Sequence, residues 1–168
     1  MSKVMIILGS ASDRNQMEPA IWQLTNTVET EVHIMSAHRT PEGLRELVMN
    51  SDADVFIAGA GMAAALPGSI AALTPRPVIG VPLSGSPMNG LDALLAIAQM
   101  PMGVPVATVA IDGARNAAIL ALEILGVKDD KAEDAIYKFR EDLRRDAAEK
   151  DRLFIEHING IKKERTRD

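Results

Sequence analysis

Residues 3–13 read KVMIILGSASD, an apolar run that stops abruptly at a glycine, two serines and an aspartate. The run lacks the apolar–polar alternation of a half-exposed strand. Continuously apolar strands belong to parallel sheets covered on both faces. The pattern recurs along the chain. Candidate strands lie at Lys3–Leu8, Glu31–Met35, Asp54–Ala58, Pro77–Leu83 and Val104–Ile111. Segments of helical spacing separate them: Met17, Ala20, Ile21 and Leu24 form an i, i+3, i+4, i+7 stripe, Leu44, Leu47 and Val48 follow at i, i+3, i+4, and then come Leu91, Leu94, Leu95 and Ala98. Ala114–Leu125 is apolar nearly all round, which predicts burial or a subunit contact. Strand and helix alternating five times predict a three-layer α/β/α sandwich around a parallel sheet.

From Asp129 onward the composition shifts to dense Asp, Glu, Lys and Arg. An apolar stripe persists at Ala132, Ala135, Ile136, Phe139 and Leu143, so a long amphipathic helix is expected rather than disorder. A second apolar cluster, Leu153, Phe154, Ile155 and Ile158, precedes Gly160 and the charged end. With no linker in sight, residues 1–168 read as one domain, with 129–168 a helical tail that packs on the domain or on another subunit.

Composition narrows the function. The chain has 168 residues and a formal net charge of −5, which fits one domain and argues against a nucleic-acid footprint. No apolar run is long enough to span a membrane, and the first residues lack a signal-peptide pattern; a soluble cytoplasmic protein is expected. The absence of cysteine removes disulfides, thiolate metal sites and thiol nucleophiles. Three scattered histidines make no metal-ligand set, so no metal is expected.

Three motifs sit where strands end, the edge at which open α/β sheets bind ligands. The first is Gly9–Asp13, a small-residue turn whose backbone N–H groups and following helix dipole suit a phosphate. Helix capping explains it too: Asp13 as N-cap with Gln16 three residues on resembles a capping box. The second is SAHRTP, residues 36–41. Thr40 and Pro41 start a helix, which leaves His38 and Arg39 unexplained. An imidazole at a ligand edge is suited to proton transfer, and a guanidinium clamps an anion. His33 and His157 read as surface residues. The third is AGAGMAAALPG, residues 58–68. Its near-match to a dinucleotide fingerprint fails, because it follows the third strand, Pro67 interrupts the helix, and no ribose-binding acid follows. An apolar pocket lined by backbone amides is the better reading.

In order and nearly without gaps from about Val4 to about Leu125, GSASD, SAHRTP, AGAGMAAALPG, PVIGVPL, GLDALLAIAQMP, GVPVATVAI and NAAILALEIL together resemble the PurE family of purine biosynthesis. The resemblance implies a flavodoxin-like or Rossmann-like three-layer fold, assembly as a homo-octamer with sites at subunit contacts, and no cofactor. One branch of the family is a mutase that moves a carboxylate from N5 to C4 of carboxyaminoimidazole ribonucleotide. The other carboxylates aminoimidazole ribonucleotide with CO2. AHRTP and AQMP are similar to the mutase branch. Two positions depart from it: Met62 stands where that branch has Gly, and Ala65 where it has a second His. The direct carboxylase, and a non-catalytic nucleotide-binding homologue, are the alternatives.

What the resemblance implies for the site is specific. Gly9, Ser10 and Ser12 would hold the 5′-phosphate with charge from Arg39, and Asp13 would take the ribose hydroxyls. Ser36, Ala37 and His38 would face the imidazole ring, with His38 the proton carrier. The backbone of Ala60, Gly61, Met62, Ala63 and Ala64, with Leu66, would enclose the migrating carboxyl. The partners expected are a ribonucleotide and CO2, with no nucleic acid and no membrane.

Overall fold

The computed structural model describes residues 2–165. Five parallel strands, β1 (Lys3–Leu8), β2 (Glu29–Ile34), β3 (Val55–Ala60), β4 (Val78–Pro82) and β5 (Ala107–Thr108), form one sheet in the order β2-β1-β3-β4-β5. Side chains alternate between faces, and each face is buried against helices. Val4, Ile6 and Leu8 pack with α1 (Arg14–Leu24), α5 (Ala114–Gly126) and the start of α6 (Asp130–Arg165). Met5 and Ile7 pack with α2 (Pro41–Met49), α3 (Leu66–Ala71) and α4 (Leu91–Ala98). The expected three-layer α/β fold is present, and the motif loops all leave the carboxyl edge of the sheet.

Two local expectations need correction. The last strand spans two residues rather than Val104–Ile111. Pro105 has no N–H to give a ladder, and the segment lies at the sheet edge, where pairing need not continue. In α4 the Leu stripe is not the packed face. Ala93 and Ile97 are fully buried, whereas Leu91 and Leu95 are 47% and 46% exposed. The sheet beneath has a glycine, Gly80, where an added Cβ would lie 3.3 Å from Pro67 Cβ and closer still to Ile97 and Val106. Small Ala93 and Ile97 bring the helix down onto that glycine, which turns the leucines outward. The expected long C-terminal helix is present, and α6 runs unbroken through Gly160. Its 36 residues make a rod of about 54 Å. Ala132 and Ile136 are buried on the domain, while Leu143, Leu153, Phe154, Ile155 and Ile161 are exposed. Residues 166–168 of the charged end lie outside the described residues.

Candidate active site

The first loop is built by hydrogen bonds of its own. Gly9 N–H donates to the Gly59 carbonyl at 3.0 Å, tying the end of β1 to the end of β3. Ser10, extended at φ −152° and ψ 156°, caps a single 3-10 turn over Ala11–Asp13, its hydroxyl accepting from Ser12 N–H at 3.3 Å and Ser12 Oγ at 2.9 Å. Asp13 makes no side-chain cap bond to α1, so the capping-box reading fails and its carboxylate is left for the cleft. Burial pushes the Asp13 carboxyl upward from its ordinary value. The Ser10 N–H, the Ser12 hydroxyl and the Arg39 charge pull it back down.

The second loop is a clamp made by Thr40. Its N–H and its hydroxyl both donate to the Ser36 carbonyl, at 2.9 and 3.1 Å, while Ser36 N–H donates to Thr40 Oγ1 at 3.1 Å. Thr40 precedes α2 but makes no side-chain cap bond; it braces the turn instead, and Pro41 opens the helix as expected. Arg39 N–H donates to Ser36 Oγ, and Arg39 Nη2 reaches across to the Gly9 carbonyl at 3.1 Å. The guanidinium is therefore held against the first loop, leaving its other N–H groups for an anion. His38 sits exposed at the tip of this turn and makes no side-chain hydrogen bond among the described residues.

The third loop is strained. Met62 and Ala64 have φ of 52° and 35°, the left-handed region that favours glycine. Ala64 N–H donates to the Gly61 carbonyl at 3.0 Å, and α3 starts directly at Leu66 with Pro67 in its first turn. Strain of this kind costs on the order of 1–3 kcal/mol and gathers at ligand sites. Gly59, at the foot of the loop, lies tight against α1: a Cβ there would fall within 3.0 Å of Met17 Sδ, Cγ and Cε.

The three loops enclose one cleft of about 600 Å³. Gly9, Ser10, Ser12, Asp13, Ser36, Ala37, His38 and Arg39, from the first two loops, line it. Ala60, Gly61, Met62, Ala63, Ala64 and Leu66, from the third, line it too, so every expected site residue borders the same space. Four further lining residues were not anticipated in a site role: Gln16, Ala65, Leu83 and Gly85. Gln16 lies one helical turn from Asp13, a spacing that could have flagged it. Leu83 and Gly85 follow β4 at the same sheet edge. His33 and His157 lie elsewhere, His33 with Nε2 3.8 Å from Glu31. Among the described residues no group of three or more His, Cys, Asp or Glu could hold a metal ion, and no helix is long and apolar enough to cross a membrane.

The profile of the family described as AIR carboxylase matches residues 3–146, the whole sheet and all three loops. The chain belongs to the AIR carboxylase family. Among curated members it is similar to the N5-carboxyaminoimidazole ribonucleotide mutase of Pyrococcus abyssi, 53% identical over 86% of this chain and 86% of that one. The mutase of Saccharolobus solfataricus is 51% identical over 87% of this chain and 95% of its own. That of Thermotoga maritima is 47% identical over 89% and 90%. Among solved structures, Treponema denticola PurE superposes with a TM-score of 0.81 at 27% identity, covering 90% of this chain and 97% of that one. The AIR carboxylase match ends at residue 146, so the distal part of α6 lies beyond it.

Proposed function

We propose that this chain is an N5-carboxyaminoimidazole ribonucleotide mutase, an isomerase of purine biosynthesis. The observation that carries the reading is the meeting of three loops at one cleft. A hydroxyl- and amide-rich turn, an uncommitted imidazole beside an anchored guanidinium, and an apolar wall of small residues all border it. Curated relatives near 50% identity, which share most of their length with this chain, carry that activity in their names. The chain-long likeness to proteins named as mutases favours this over direct carboxylation.

In this account Ser10, Ser12 and the amides of Gly9–Ser12 take the 5′-phosphate, with charge from Arg39, and Asp13 accepts from the ribose hydroxyls. Ser36, Ala37 and His38 face the imidazole ring. The N–C bond of the carbamate breaks, CO2 departs, and the electron pair left on the exocyclic nitrogen takes a proton from His38. CO2 stays against Ala63, Ala64 and Leu66, where exclusion of water and confinement hold it beside the ring. C4 then attacks CO2, the new C–C bond forms, and the C4 proton passes to His38, which restores aromaticity and resets the imidazole. Atoms balance without metal, nucleotide or biotin. Ala65 supplies no second imidazole, so His38 performs both transfers.

The assembly belongs to the same reading. Residues 1–168 act as one domain of a cytoplasmic homo-octamer, and α6 from residue 129 onward is an oligomer-contacting tail. The uncovered apolar residues Leu91 and Leu95 on α4, and Phe154 and Ile161 on α6, support burial against other subunits. The test of function is turnover of N5-carboxyaminoimidazole ribonucleotide by the wild type and by His38→Asn. The variant is expected to keep its fold and ligand binding and to lose about 10²–10⁴ in rate. Near-normal turnover in the variant removes His38 from this role.

A further inference from the structure

We infer that Gln16 is a substrate-contacting residue whose carboxamide donates a hydrogen bond to the carboxylate of the bound ribonucleotide; this rests on the function proposed above. The cleft has few polar side chains to offer, and most already hold at least one hydrogen bond within the protein. Ser10 accepts from Ser12, Ser12 donates to Asp13, Ser36 accepts from Arg39 N–H, and Arg39 donates to the Gly9 carbonyl. Two cleft-lining side chains, His38 and Gln16, make no hydrogen bond among the described residues. His38 has its proton to move. Gln16 is the other side chain with no partner in the protein, whereas the free Ser10, Ser36 and Arg39 donors and the Asp13 carboxylate already have the ligand roles assigned above.

Its surroundings hold it in place. Gln16 is half-buried in α1, and the next residue, Met17, is fully buried and wedged under Gly59 at the root of the third loop. The third loop, Ala60 to Leu66, contributes no polar side chain to the cleft, and Ala65 presents only a methyl group there. Beyond the phosphate, ribose and Ser36 contacts, a ligand carrying both an exocyclic amine and a carboxylate therefore meets one imidazole and one amide that have no partner in the protein. A primary amide donates through its NH2 and accepts through its oxygen. It also stays neutral, so it holds a carboxylate without fixing it as an ion pair that would oppose loss of CO2.

The experiment measures direct binding of two ligands, aminoimidazole ribonucleotide and 4-carboxyaminoimidazole ribonucleotide, to wild type, Gln16→Leu and Gln16→Glu. The ligands share phosphate, ribose and amine and differ by the carboxylate. Gln16→Leu is expected to weaken the carboxylated ligand by about 10- to 100-fold, the size of a hydrogen bond to a charged group. Binding of the uncarboxylated ligand should change less than about threefold. Gln16→Glu, isosteric but anionic, should lose the carboxylated ligand at least as severely. Retained binding of the uncarboxylated ligand certifies that each variant is folded. Equal weakening of both ligands would move Gln16 to the ribose beside Asp13, and no change in either would leave it a bystander; both outcomes overturn the inference. Wild-type protein that binds neither ligand would instead sink the proposed function itself.

Discussion

Gly59→Ala probes a place where the core and the cleft are mechanically joined. The added methyl would fall within 3.0 Å of three Met17 side-chain atoms, and Met17 is wholly buried, so its side chain can yield only by moving within the core. Overpacking of this kind costs about 1–3 kcal/mol. Replacing glycine by alanine in an extended segment returns about 0.5–1 kcal/mol of backbone entropy. The net is a loss of about 1–2 kcal/mol, which at this chain length lowers Tm by roughly 2–8 °C. Thermal melts at fixed protein concentration measure it. Because Met17 sits in the first turn of α1 beside Gln16 and directly after the turn carrying Asp13, substrate KM should rise along with the loss of stability. In a Met17→Ala background the clash has no partner, so Gly59→Ala should cost less than half as much there. A single variant that melts at or above wild type, or effects that simply add in the double variant, would refute this reasoning.

Asp13→Asn separates stability from function. Burial raises the Asp13 carboxyl in the folded state, so folding favours its protonated form. That contribution is complete below the unfolded value and is lost as pH rises through the raised folded one. The asparagine variant should therefore melt higher than wild type at neutral pH, with the gap closing as pH falls toward about 4, while substrate binding weakens. Equal melting at all pH values would show that the carboxylate bears no burial cost. Ala65→His tests whether the absent imidazole matters. Residue 65 has ordinary helical geometry, φ −70° and ψ −17°, so the side chain enters without strain, and kcat should change less than about tenfold if His38 suffices. A larger rise would assign part of the proton transfer to that position. Leu95→Glu places a charge on the uncovered α4 face. It should leave the melt of the isolated chain nearly unchanged but shrink the particle seen by light scattering; an unaltered particle would free that face of any contact.

The fold was legible where a single physical rule governs. Lys3–Leu8 reads as a doubly covered strand because nearly every residue is apolar, and its observed bounds are identical. In α4 the rule was ambiguous: Leu91, Leu95 and Ala98 make a good stripe, but so do Ala93 and Ile97, and the choice is set by Gly80 in another element. No local window contains that information. Pro105 offered a signal against a long final strand, and pairing partners decided the rest. At the site, loop position at strand ends identified the three motifs. Gln16 was hidden by a plausible cap, because only the coordinates show Ser10 capping the turn and Asp13 turned to the cleft. Thr40 was hidden likewise, since its bracing bonds run backward to Ser36 rather than forward into α2.

The central claim is tested most directly by the rate at which the purified protein converts N5-carboxyaminoimidazole ribonucleotide to the C4 isomer with no added bicarbonate. That rate is to be compared with carboxylation of aminoimidazole ribonucleotide by bicarbonate. The account predicts a larger kcat/KM for the isomerisation, falling by about 10²–10⁴ in His38→Asn. Turnover confined to the bicarbonate reaction, or isomerisation that survives the loss of His38, would contradict it.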